Sequence, residues 1–220
     1  PSLMVKAKTM TLDAVTLRNL EIVRTISDSS KDTLFAVLNK SSTAGGSRRM
    51  KDWLLRPLYD LERINERHDA VQELFDNTLS RREIRDILKG FQDVERLLSR
   101  LGHGSISPRD LDSLKSSLNT VKDLKQFLSE EPLKSKLMKK LVKSIDVHKQ
   151  VSKKLEEAIV EDPPAVLRDG GIFKKGYSKE LDDLRSKATS GREWVASLEN
   201  EEKEKTGIPK LKIGYNRVFG

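Results

Sequence analysis

The sequence predicts an all-α fold, a helical bundle core followed by one long helix and a short β stub. Three observations carry this. Apolar residues recur at steps of three and four almost throughout, which places them on one side of a helix. The composition is 36% hydrophobic, 35% charged and only 5% aromatic, the balance of a helical protein with a densely charged surface. Near the C-terminal end, a run of about 28 residues keeps one apolar seam while its other faces are almost wholly charged.

The elements follow in order. Asp13 is placed to cap a short helix through Arg18. Leu20-Glu21-Ile22-Val23 reads either as a short strand or as a helix end. Thr33 caps Leu34 to Leu38, Ser41 to Ser47 reads as a small-residue turn containing Gly45-Gly46, and a helix from about Arg48 to Leu55 is stopped by Pro57. Asp60 opens the next helix, with Ile64, Val71, Leu74 and Phe75 on its apolar side. Between Glu83 and Leu101, Ile84, Ile87, Phe91, Val94, Leu98 and Leu101 form one stripe, with Gly90 as a point of kinking or division. Ser107-Pro108 is a clean helix start, a capping hydroxyl followed by proline at the first helical position. That helix continues through Leu111, Leu114, Leu118, Val121, Leu124 and Leu128, and Val147, Val151, Leu155 and Ile159 repeat at four.

Glu161-Asp162-Pro163-Pro164 breaks the pattern, and Asp169-Gly170-Gly171 and Gly176 keep 161–177 irregular, with room for one short hairpin. From Ser178 a long helix carries Leu181, Leu184, Ala188, Gly191, Val195 and Leu198 on its seam. Charged elsewhere, it is expected to project from the bundle and to pair along one stripe, with a partner outside this chain. Thr206-Gly207-Ile208-Pro209 ends it, after which Leu211, Ile213, Tyr215 and Val218 alternate as a strand would. The division expected is 1–165 as helical core, 166–177 as connector, 178–206 as the long helix and 207–220 as the start of a further domain. A lone strand is unstable, and position 1 is not Met, so a piece of a longer protein is expected.

Net charge is +8, from 42 basic and 34 acidic side chains. Such an excess favours an anionic partner, nucleic acid before membrane, and equally serves simple solubility. With no cysteine, disulfides and thiolate metal sites are excluded. No apolar run approaches the roughly 18–20 residues of a membrane span, and the N-terminal residues lack a secretory pattern. Gly171-Ile172-Phe173-Lys174-Lys175-Gly176 has the glycine spacing of a phosphate-binding loop, but Tyr177 stands where lysine is needed. Gly102-His103-Gly104 runs into Ser107-Pro108 without a third glycine. His68, His103 and His148 lie far apart, and Asp182-Asp183 and Glu201-Glu202 fall on charged helix faces without a sheltered cleft. No catalytic, cofactor or metal-binding residue is therefore expected. The remaining chemistry is basic: Arg48-Arg49-Lys51, Lys134-Lys136-Lys139-Lys140-Lys143, and Lys210, Lys212 and Arg217. The last three stand beside Tyr215 and Asn216 on the expected strand and are candidate contacts to a DNA backbone.

Several stretches together resemble the core of the MutS family of DNA mismatch repair ATPases. Met10-Thr11-Leu12-Asp13 with Thr16 and Asn19-Leu20-Glu21-Ile22 looks like the opening of the family's core domain. Thr43, Gly46-Ser47-Arg48, Trp53 and Pro57-Leu58 match its next motif, with Met50 where Leu is usual. Arg63-Ile64, Arg67 and Val71 fit the helix that follows. Asp93-Val94-Glu95-Arg96-Leu97 with Arg100-Leu101 resembles the family's D-L-E-R stretch, Val94 replacing Leu, and Pro108-Arg109-Asp110-Leu111 follows. Arg168-Asp169-Gly170-Gly171-Ile172, Gly176-Tyr177 and Glu180-Leu181-Asp182 resemble the start of the first lever helix. Thr206-Gly207-Ile208 and Lys212-Ile213-Gly214-Tyr215-Asn216 resemble the turn and first strand of the clamp.

The resemblance, which runs over roughly residues 10 to 220, implies a non-catalytic core (domain III) and first lever segment. It would link DNA binding to an ATPase domain elsewhere and help encircle DNA. ATP and Mg would be cofactors of the parent only, itself a homo- or heterodimer acting on mismatched double-stranded DNA with downstream repair factors. No membrane is implied, and a prokaryotic parent would be cytoplasmic and nucleoid-associated. Arg48, Trp53, Asp93, Glu95 and Arg96 are expected in internal packing and a polar network, and Gly191 in transmission. A free-standing basic helical module that binds nucleic acid and a coiled-coil scaffold are the alternatives. Neither a Phe-x-Glu motif nor an ATPase domain is present, so mismatch reading and ATP turnover would lie outside this chain.

Overall fold

The computed structural model describes residues 9–214. Its helices are α1 (Ala14–Asn19), α2 (Leu34–Leu38), α3 (Ala44–Leu55), α4 (Leu61–Asp76), α5 (Thr78–Leu88), α6 (Val94–Gly102), α7 (Pro108–Glu130), α8 (Lys136–Ser144), α9 (Lys149–Ala158) and α10 (Lys179–Thr206). The molecule is all-α among the described residues, which form no sheet; an isolated antiparallel bridge joins Thr9 to Leu58. Local chemistry explains most starts. Asp13, Thr33, Thr43, Asp60, Asn77, Asp93, Ser107, Ser135 and Ser178 each accept a hydrogen bond from a backbone N–H three residues on. Each satisfies a donor that the first helical turn leaves without a partner. At Ser107 the cap is reciprocal: Asp110 N–H donates to the Ser107 hydroxyl at 3.2 Å, and Ser107 N–H to the Asp110 carboxylate at 3.0 Å.

One reading of the sequence is corrected here and another is sharpened. Gly45-Gly46 is not in a turn: Thr43 caps a helix that already contains both glycines in its first turn. The cap overrides the low helix propensity of the pair. The stripe from Glu83 to Leu101 belongs to two helices, and Gly90 stands in the break between them. A Cβ on Gly90 would lie 2.9 Å from the Thr120 hydroxyl of α7, so glycine lets this turn lie against that helix. The neighbouring Gln92 N–H donates to Ser117 at 3.1 Å, and Ser117 is almost fully buried.

The bundle core gathers Ala70 of α4, Leu128 of α7 and Met138 of α8, with Leu74, Ile84, Leu124 and Phe127 packed around them. A second cluster joins Ala158, Ile159 and Ile172 with Leu111 and Leu155. Val71 and Phe75 belong to the apolar side of α4, yet they are 66% and 70% exposed. Only the edge of the stripe carrying Ala70 and Leu74 turns inward, because those two positions face α7 and α8.

Polar side chains fasten the helix ends to one another. Glu73 on α4 accepts hydrogen bonds from the backbone N–H groups of Lys134 and of Ser135, the latter at 3.0 Å, and so anchors the start of α8. Burial pushes the Glu73 carboxyl up, but the hydrogen bonds from Ser135 and Lys134 outweigh it and leave its pKa below the ordinary 4.5. A depressed pKa means stabilisation that is full above the unfolded value and lost as pH falls through the folded one. Stability should therefore hold from neutral pH down to about 5 and decline below about 4.5. Glu73→Gln should lower stability at pH 7 and flatten that acid decline, which urea denaturation at a series of pH values would measure. An acid limb as steep as in the unaltered chain would count against this role.

Residues 161–177 contain no paired strands and so no hairpin. A short 3₁₀ turn, Leu167–Asp169, and one backbone bond from Val160 N–H to Ile172 O at 3.0 Å organise them. Contacts divide the chain into two compact units, one ending at Ile172 and the other beginning at Phe173. In the second, Gly176 N–H donates to Asp182 at 2.7 Å, Arg185 donates to the Phe173 carbonyl at 3.2 Å, and the Phe173 and Tyr177 rings stack 5.7 Å apart. Helix α10 runs 28 residues and ends at Gly207, whose φ of 65° is the left-handed conformation that glycine adopts most readily. Where a strand was expected, 207–214 forms a turn and irregular chain, with Leu211 N–H bonded to Ile208 O and Ile213 N–H to Glu199. A single strand has no ladder to join, so side-chain bonding takes its place. Tyr215, Asn216, Arg217 and Val218 lie outside the described residues.

Candidate functional site

The residues singled out from the sequence fall into separate places. The first is a polar network built by α3 and α6. The Thr43 cap starts α3 so that Arg48 stands one turn in, while Asp93 caps α6. Arg48 then donates twice to Asp93, at 2.9 and 2.7 Å, and pairs with Glu95 at 2.7 Å. Arg96 returns to Asp93 at 3.3 Å. The fork of Arg48 fits a carboxylate in two parallel bonds, which fixes orientation as well as distance. Hydrogen bonding from Arg48 holds Asp93 below the ordinary carboxylate range, and Asp93 raises the already high pKa of Arg48. The structure thus brings together Arg48, Asp93, Glu95 and Arg96.

Trp53 is elsewhere on α3. The Arg67 guanidinium of α4 lies 3.8 Å above its ring, close enough for a cation–π contact. A further pair, Arg100 of α6 with Asp110 of α7 at 3.0 Å, continues the polar links from α6 into the capping box. Reading by motif had missed the roles of Arg67, Glu73 and the Arg100–Asp110 pair. For Arg67 there was a signal: Arg63 and Arg67 stand four apart on one helix, as do Arg49 and Trp53 on another.

The remaining candidates are dispersed. Lys210 and Lys212 are exposed in the irregular chain after α10, and Arg217 lies outside the described residues. Lys212 stands close enough to Glu199 to help hold that carboxylate below its usual range, after the larger effect of Lys203. Gly191 is exposed within α10, and a Cβ there would meet nothing within 4 Å. Of the Lys run on α8, Lys136 pairs with Glu66 at 3.3 Å while Met138 is buried beneath. Among the described residues no group of three or more His, Cys, Asp or Glu side chains could hold a metal, and no helix is long and apolar enough to cross a membrane.

A bundle tied helix to helix by Arg–carboxylate pairs, with one long charged helix after it, defines a helical framework module. Residues 15–209 match the family described as MutS domain III. The chain is 41% identical over 215 residues to the DNA mismatch repair protein MutS of Methanosarcina acetivorans and 43% over 215 to that of Methanosarcina mazei. It is 42% identical over 212 residues to that of Halothermothrix orenii. Each match covers 96% of this chain but only 23–24% of the relative. The chain belongs to the MutS domain III family, and it spans about a quarter of the length of the curated relatives it matches.

Proposed function

We propose that this chain is the core and first lever segment of a DNA mismatch repair protein, coupling DNA binding in one part of the parent to ATP turnover in another and helping the parent encircle DNA. The observation that carries this reading is the match to MutS domain III over 15–209. The parent is then a dimeric, DNA-dependent ATPase using ATP and Mg, acting in the cytoplasm on mismatched duplex and recruiting later repair factors. The segment itself performs no chemistry.

The division of labour follows the proposed domains, with core to 165, connector 166–177, lever 178–206 and clamp from 207. At about 1.5 Å per residue, the 28 residues of α10 span about 42 Å, so a tilt at one end becomes a displacement at the other. Arg48, Trp53, Asp93, Glu95 and Arg96 keep the core stiff enough to pass that movement on. Gly191 is the compliant point of the lever, and Lys210, Lys212 and Arg217 meet DNA phosphates.

Gly191→Ala in the parent tests the coupling. Alanine fits the space and favours helix by about 1 kcal/mol, so folding should be preserved. The stimulation of ATP turnover by mismatched over matched duplex should change several-fold. An unchanged ratio would remove Gly191 from the mechanism. The 220-residue chain alone should bind duplex weakly and without mismatch preference. Tight binding that falls steeply with salt would instead favour the free-standing nucleic-acid module.

A further inference from the structure

Around Trp53, three guanidinium groups converge with few carboxylates left to neutralise them. Arg67 lies over the ring at 3.8 Å, and both Arg63 and Arg49 are near enough to repel its charge. The local carboxylates are engaged elsewhere. Asp52 pairs with Arg56 at 3.3 Å and reaches Arg49 only at 4.0 Å, Glu62 and Glu66 face Lys136, and Asp60 caps α4. Among the described residues, Arg63 and Arg67 have no carboxylate partner. Like charges held together against a partly buried face disfavour one another, and an anion placed among them relieves that.

The surroundings narrow the kind of anion. Between 49 and 67 there are five basic and four acidic side chains, so the neighbourhood is nearly neutral and draws a polyanion such as DNA only weakly. Trp53 is 39% exposed, and Val71 and Phe75 follow Arg67 at four and eight residues along the same face of α4. Tryptophan, arginine and an apolar stripe are the groups that anchor protein interfaces. We propose that Arg49, Arg63 and Arg67 around Trp53 form a docking site for an acidic, apolar segment of the parent polypeptide lying outside residues 1–220, its carboxylate received by the guanidinium groups and its apolar side chains laid on Val71 and Phe75. The occupant belongs to the same polypeptide because the relatives extend over about four times this chain's length, and that material must pack against some face. The assignment rests on the reading of this chain as part of a longer protein.

Hydroxyl-radical footprinting, read by mass spectrometry at Trp53, tests it on the 220-residue chain and on the full-length parent, without DNA or nucleotide. Trp53 should oxidise at least several-fold more slowly in the parent. Arg63→Glu with Arg67→Glu in the parent should restore the rate seen in the chain, and Arg63→Lys with Arg67→Lys should keep part of the protection. Far-UV circular dichroism checks that each protein retains its helices. Equal oxidation in chain and parent would overturn the proposal, as would protection that survives charge reversal. Protection of the chain by duplex DNA alone would overturn it in favour of a nucleic-acid site. The footprint involves no mismatch, so a parent without mismatch preference would sink the repair reading and leave this result standing.

Discussion

Replacing Leu128 by alanine should destabilise the bundle by about 2–5 kcal/mol, the range for removing a buried leucine where the surroundings cannot collapse. Leu128 on α7 is 6% exposed and shares one cluster with Ala70 of α4 and Met138 of α8. Truncation there opens a void between three helices, none of which can close it without disturbing its other contacts. Single domains are stable by only about 5–15 kcal/mol, so the loss is a large share of the whole. Leu128→Met, which conserves volume, should cost less than about 1.5 kcal/mol. Phe75→Ala is the contrasting control: the ring is mostly exposed in this chain, so its removal should change stability by no more than about 0.5 kcal/mol. Urea denaturation of the three variants, followed by circular dichroism, gives these values. A loss below about 1 kcal/mol for Leu128→Ala would mean that the cluster does not hold the bundle together.

That contrast also shows what a single sequence reveals. Helix starts are legible because a cap is a local bargain between one side chain and an N–H three residues on. Asp13, Thr33, Asp60, Ser107 and Ser178 are all where the sequence places them. Periodicity marks which positions of a helix are apolar, but not how many of them meet a neighbour inside this chain. Val71 and Phe75 fit the same pattern as Leu74, and they differ in having no helix over them among the described residues. Gly45-Gly46 misleads for another reason, since a strong cap just ahead recruits poor helix formers into the first turn.

The polar network was legible as a set of residues and not as a geometry. Arg48 and Asp93 are 45 positions apart, and no spacing rule joins them. The resemblance to a family nominated both, and only the packing of α3 beside α6 shows that one carboxylate serves as cap and as ion-pair partner at once. The cluster around Trp53 shows the reverse. Its pairs at four-residue spacing are visible in the sequence, yet the lack of compensating carboxylates depends on where Asp52, Glu62 and Glu66 turn.

Gly90→Ala should cost about 1–3 kcal/mol although alanine is ordinarily the better residue in helical surroundings. The backbone there is not left-handed, so conformation does not require glycine. The obstacle is the Thr120 hydroxyl, 2.9 Å from the added Cβ. Thr120 cannot readily swing away, being buried and bonded through that hydroxyl to Ser116 O at 3.1 Å. The turn must therefore lift from α7, and the bond from Gln92 N–H to Ser117 stretches with it. Asp93, the next residue, holds Arg48, so the strain runs directly into the link between α3 and α6. Removing the obstacle gives a specific check. Gly90→Ala with Thr120→Ala should recover most of the stability that Gly90→Ala alone loses, making the pair clearly non-additive in a double-mutant cycle. Additive losses would mean that contact with Thr120 is not what excludes a side chain at position 90. If the rescue holds, the same pair varied in the parent would separate two roles of this joint. Restored stability with the proposed mismatch-stimulated ATP turnover still altered would place the joint on the path between DNA and nucleotide, whereas recovery of both would make it a packing feature only.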